Sequence, residues 1–188
     1  MGTLRIGASD SAFFAQLLEA QDDVGRQRTC VRAGEPEAFE EAIEIDLGGW
    51  DLHSALGPIS GTMATKMDEL SRALAAFHTD LDDLSGTLGR VTLVAMSEFG
   101  RRAGENASAG ADHGHGNCLI VMGGHVNGGQ VIANWPGLAT NSLDNGDLAI
   151  TVDYRDVMAE ILQDRMACTS LGTVFPSYTI GSFVDITA

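Results

Sequence analysis

Cysteine, proline and the large polar aromatics are scarce in this chain: 3 Cys, 4 Pro, 2 Trp and 2 Tyr among 188 residues. Cys30, Cys118 and Cys168 are odd in number and widely spaced, which excludes a disulfide framework or a CxxC zinc knuckle as a reading of the sequence. They are expected to serve as small buried hydrophobes. Basic residues are also few, 11 against 26 acidic ones, for a net charge of −15. A sequence-independent grip on nucleic acid needs clustered Lys and Arg, so no nucleic-acid partner is expected. No run reaches the roughly 18 to 20 apolar residues that cross a bilayer, and the first nine residues lack the basic start and apolar core of a signal peptide. What is present in quantity is hydrophobic side chain, 44% of the total. That is enough to give one globular domain a core.

From Ser9, SDSAFFAQLLEAQDDVG opens on two cap residues and places Phe13, Phe14, Leu17 and Leu18 on one stripe, which predicts a helix. Residues 1–39 read as a divergent amino-terminal helix and linker. The alternation of Ile43, Ile45 and Leu47 predicts a strand delivering Trp50, Asp51 and His53 at its end. Met63, Met67, Leu70, Leu74 and Phe77 recur at helical spacing, giving the clearest helix. VTLVAMS is apolar on both faces, as expected of a strand buried in a parallel sheet, and the order strand, helix, strand implies a right-handed crossover. A Gly-rich loop over residues 99–117 is followed by the apolar runs CLIVMGG and QVIANW. Loops of that length inside a domain tend to carry function. Asp153 is placed to cap a helix through Val157, Ile161 and Met166.

Four of the five His residues, His53, His113, His115 and His125, lie in Gly-punctuated segments beside predicted strands, while His78 belongs to the surface of the long helix. In WDLH, Asp51 and His53 are two apart, and so are His113 and His115 in DHGHG. An extended backbone sends such pairs to one face, where they can share a cation. Asp112 joins them. Mixed carboxylate and imidazole donors suit zinc, manganese or iron better than magnesium or calcium, which prefer all-oxygen shells. SEFGRR adds Glu98, a ligand or general base, and Arg101, whose planar fork matches a phosphate or sulfate; the plainer reading pairs the two with each other. Trp50 and Trp135 read as packing residues. No GKS or GKT P-loop and no GxGxxG in a strand-to-helix setting is present, so nucleotide binding has no support.

Taken in order, GGWDLH, VTLVAMSEFGRR, ADHGHGN, VMGGHVNGG, NWPGL, TVDYRDVMAEIL and VFPSYT resemble the carboxy-terminal half of the sulfatase-like family known as domain of unknown function 1501, over about residues 40–180. The resemblance implies a branch of the alkaline phosphatase superfamily. It implies a single, apparently partial domain, with three α/β/α layers and a mostly parallel sheet. It implies metal ligands at Asp51, His53, Asp112, His113 and His115, with Glu98 and Arg101 in the EFGR motif. Members of the family are often exported. Two departures stand out: Phe99 occupies a place where many relatives carry a His ligand, and the amino-terminal half that supplies their nucleophile and first metal-binding Asp has no counterpart here. His125 stands where the family's GGxVxGG pattern leads one to expect a small residue.

Two functions follow as expectations. The first is a divalent-metal hydrolase acting on a small phosphate or sulfate ester. The second is a catalytically inactive, truncated scaffold serving as a binding or assembly module, a homo-oligomer or one whose partner chain covers an exposed sheet edge.

Overall fold

A computed structural model describes residue 45 and residues 47–83 and 86–188. The helix expected from Ser9, Cys30 and Ile43 lie outside the described residues. In chain order the elements are α1 (Thr62–Asp83), β1 (Thr92–Ala95), β2 (Gly100–Arg101), β3 (His113–Gly114), β4 (Ile120–Gly123), α2 (Tyr154–Met166) and α3 (Leu171–Val174), with short 3-10 turns at Leu88–Arg90 and Thr140–Ser142.

The expected three-layer α/β/α domain with a mostly parallel sheet is not what forms. Among the described residues there are two small antiparallel sheets, β1 with β4 and β2 with β3. The reason lies in the connections. Parallel neighbours need a crossover, usually helical, whereas the Gly-rich stretch between β1 and β4 contains no helix and folds back through the β2–β3 ladder. The expected first strand is also absent where it can be seen: Ile45 and Leu47 carry no ladder, so α1 is not the crossover of a strand-helix-strand unit.

VTLVAMS does form a strand, over Thr92–Ala95, with all four residues half-buried. The register sets Val94 opposite Val121 and Leu93 opposite Met122. Val94, Leu119 and Val121 pack on the core of Val157, Ile161 and Ile186, which joins α2 to the carboxy-terminal tail. An antiparallel pair need not be fully buried on both faces, as a strand of a parallel sheet is. Arg165 near the end of α2 reaches back to the start of β1, donating to Thr92 Oγ1 at 3.1 Å and to the Gly89 carbonyl at 2.7 Å.

Helix α2 starts where Asp153 was expected to cap it: its carboxylate accepts the Arg155 N–H at 2.9 Å and also pairs with the Arg155 guanidinium. The long helix likewise forms, with Ala73 and Leu81 buried, while Met67 from the expected stripe is exposed. Its first turn is tied to the chain before it, Met63 N–H donating to the Leu56 carbonyl at 2.9 Å. Cys168 is buried but disulfide-bonded, which corrects the expectation of a simple small hydrophobe, and Cys118 is free and exposed. Trp135 is also exposed instead of packed.

The tail is held by a carboxylate. Glu160, 2% exposed, accepts the Val184 N–H at 2.8 Å and the Thr187 N–H at 2.9 Å. One turn earlier on the same helix Asp156 accepts the Gly181 N–H at 2.6 Å, and one turn later Asp164 accepts the Thr187 hydroxyl at 2.6 Å. Asp156 and Glu160, one turn apart, thus receive backbone N–H groups of the tail and Asp164 its Thr187 hydroxyl, while the tail's other edge pairs with Val126 and its neighbours. Removing a buried acceptor leaves its donors without water or partner, at about 1–3 kcal/mol each. Glu160→Ala is therefore expected to lower unfolding free energy by about 3 kcal/mol in urea titration, and more than Asp156→Ala, whose contact is exposed.

Candidate metal centre

The site is assembled by two loops that pair through their backbones. Ala55 N–H donates to the Ser108 carbonyl at 2.9 Å, Leu56 N–H to the Ala109 carbonyl at 2.7 Å, and Ala111 N–H to the Leu52 carbonyl at 3.2 Å. The contact is so close that a Cβ at Gly110 would collide with the backbone of His53 and Ser54, which is why glycine sits there. Ala55 and Ala109 both adopt positive φ, 46° and 54°, a conformation costing a non-glycine residue about 1 kcal/mol or more.

Asn106 closes the arrangement. Its amide oxygen accepts the N–H groups of Ser108 and Gly110 at 2.9 and 3.0 Å. Its NH₂ donates at 2.9 Å both to the His53 carbonyl and to Asp112 Oδ1. An Asn can mimic a backbone turn with its own side chain, and here it does so while holding a neighbouring loop and a carboxylate.

Asp51 is the hub. Its Oδ1 accepts from Arg101 Nη2 at 3.0 Å and lies 2.8 Å from His113 Nε2 and 3.0 Å from His53 Nε2. The ligand atoms of Asp51, His53 and His113 fall within 4.8 Å of one another. The His53 and His113 rings lie 4.8 Å apart, and Phe99 stacks on His113 at 3.8 Å. Phe99 therefore braces an imidazole at a position where sequence resemblance leads one to expect an imidazole itself.

The remaining expected site residues are placed differently. Asp112 stands against the other nitrogen of His53, its Oδ1 3.1 Å from Nδ1. Arg101 is largely covered and committed to the protein, donating to the carbonyls of Ala111 at 2.6 Å and Trp50 at 2.7 Å as well as to Asp51. His115 turns to a separate pair of carboxylates, Asp147 at 3.3 Å and Asp144 at 3.6 Å. Glu98 is exposed, and neither it nor His115 contributes to the group formed by Asp51, His53 and His113. His125 lies near Gly89 and holds the terminal Ala188 N–H through its carbonyl. His78 is half-buried on α1. Asn106, Asp144 and Asp147 were not singled out by sequence reasoning, and Phe99 was noted only as standing in place of a His ligand. The Asn-Ala-Ser-Ala-Gly run around Asn106 was a turn signal for that residue, and nothing marked Asp144 or Asp147.

Both site carboxylates are held below the ordinary carboxylate value of 3.8. For Asp51 the main cause is the hydrogen bond from His113, with that from Arg101 next among the lowering effects and partial desolvation opposing. For Asp112 the hydrogen bond from Asn106 leads, followed by that from His53. A depressed carboxylate contributes stability that is present above its unfolded value and lost as pH falls through its folded one.

Residues 20–169 match the family described as "Protein of unknown function (DUF1501)". The chain belongs to that family. No curated protein and no solved structure matches it. WDLH, EFGR and DHGHG all lie inside the matched region, so the residues that meet at Asp51 come from the family-defining part of the chain.

Carboxyl carbon NMR titration is expected to place the Asp51 midpoint below 3.8. His113→Ala should return it toward 3.8 by more than Arg101→Ala does; the reverse order would contradict the hub geometry.

Proposed function

We propose that Asp51, His53 and His113 form a divalent-metal centre used for hydrolysis of a phosphate or sulfate ester. One observation carries the reading: two imidazole Nε2 atoms and one carboxylate oxygen converge, at 2.8 and 3.0 Å from nitrogen to oxygen. Ligands of a tetrahedral ion, each about 2.0–2.1 Å from the metal, lie about 3.4 Å from one another, so small adjustments would admit one.

The donor set fits the same reading. His53 has a carboxylate at each nitrogen, and a neutral imidazole can donate from only one. With the proton on Nδ1 toward Asp112, the Nε2 lone pair faces Asp51 Oδ1, and a cation relieves that opposition. Asp51 can ligate without losing Arg101, because a carboxylate has about four acceptor positions. Two imidazoles and one carboxylate favour zinc, manganese or iron. A bound ion of this class would polarise an ester oxygen and make water a better nucleophile. The three side chains are 47 to 60% exposed, so an ester could approach from solvent. The motifs' resemblance to sulfatase-like proteins supports the ester class.

A second reading, an assembly module, is favoured by a different observation. Residues 126–143 contain no charged side chain, although the chain carries −15 overall. Within them Val131 is 91% exposed, Trp135 62% and Leu138 60%. An uncharged apolar strip is where two such acidic chains can meet without like-charge cost.

Zinc titration with a chromophoric chelator is expected to show about one equivalent bound. His53→Ala and His113→Ala should each weaken it more than about tenfold, about 1.4 kcal/mol. Zinc at a hundred times its Kd should raise unfolding free energy by about 2.7 kcal/mol. Wild-type protein that binds no zinc, manganese or iron sinks the metal reading. For the assembly reading, sedimentation velocity is expected to show a dimer that Trp135→Ser dissociates, and a monomer at every concentration would end it.

A further inference from the structure

Resting on the metal reading, we infer that Asp112 and Asn106 are positioning residues: the relay Asn106 to Asp112 to His53 fixes the proton of His53 on Nδ1 and so aims the Nε2 lone pair at the cation. Asp112 was expected to be a ligand. Its place against Nδ1, 3.1 Å away, puts the imidazole between its carboxylate and the point where the ligand atoms converge.

Asp112 is itself fixed. Oδ1, the oxygen that meets His53, also accepts the Asn106 NH₂ at 2.9 Å. Asn106 has no freedom to flip: its oxygen holds the N–H groups of Ser108 and Gly110, and its nitrogen holds the His53 carbonyl. An exchange of its oxygen and nitrogen would set NH₂ against two N–H donors and oxygen against a carbonyl and a carboxylate. The amide therefore grips His53 at both ends, at the backbone directly and at the ring through Asp112.

A ring oriented this way loses less freedom when its other nitrogen takes a metal, and a carboxylate on Nδ1–H makes Nε2 a stronger donor. His113 has no such partner among the described residues; Phe99 stacks on its face instead. The two imidazoles are thus held by different physics, one by a carboxylate at its edge and one by an aromatic ring on its plane. Removing Asp112 should affect the first and leave the second in place.

The test uses the full chain with zinc alone. Long-range proton–nitrogen NMR of zinc-loaded wild type is expected to show His53 with Nδ1 protonated and Nε2 metallated. Metallation of Nδ1 would overturn the inference without any variant being made. Asp112→Ala and Asn106→Ala are each expected to weaken zinc binding by about ten- to hundredfold while one equivalent still binds. Asp112→Asn, which can still accept from Nδ1–H, should recover most of the loss. Thermal unfolding of each metal-free variant separates this from collapse of the loop. Should a variant unfold, the wild-type His53 spectrum alone decides. Wild type that binds zinc, with Asp112→Ala binding within twofold of it, overturns the relay and leaves the metal centre standing. Wild type that binds none overturns both.

Discussion

The backbone pairing between residues 52–56 and 108–111 is the contact on which the candidate site depends. It is made of peptide groups, so it specifies distance more than identity, and it brings Asp51 and His53 to Asp112 and His113 across roughly sixty residues of chain. Two alanines hold positive φ to permit it, and Gly110 gives up its side chain to allow the approach. Backbone strain beside convergent polar groups fits a region shaped for something other than stability alone.

The candidate site was more legible in the sequence than the fold was. Spacing placed Asp51 with His53 and singled out His113, because alternation in extended chain is a short-range property. The same alternation grouped His115 with His113. Strand β3 covers only His113–Gly114, however, so regular alternation does not extend to His115, which goes to Asp144 and Asp147. Partners that far along the chain leave no trace in local pattern. Asn106 carried a turn signal, but its double grip on His53 is purely tertiary.

For the fold, VTLVAMS and the Asp153 cap could be read because hydrophobic run and cap chemistry are local. The direction of pairing could not. A strand apolar on both faces suits a parallel sheet, yet β1 is only half-buried and pairs antiparallel with β4 because no helix lies between them. Connection decided what composition left open. The tail clasp by Asp156, Glu160 and Asp164 was likewise invisible, since acids at helical spacing usually mark a solvated face.

The separation of the two loops also bears on how the chain folds. Joining ends some sixty residues apart costs about 3–4 kcal/mol of closure entropy, and the pairing at Leu52 and Ala111 must meet that cost before Asp51 can face His113. Only the contact of Asp51 with His53 is local; His113 and Arg101 reach the hub across that closure. The triad therefore exists only once that closure is made, and the Asn106 turn, which holds the His53 carbonyl and Asp112, is part of what keeps it closed.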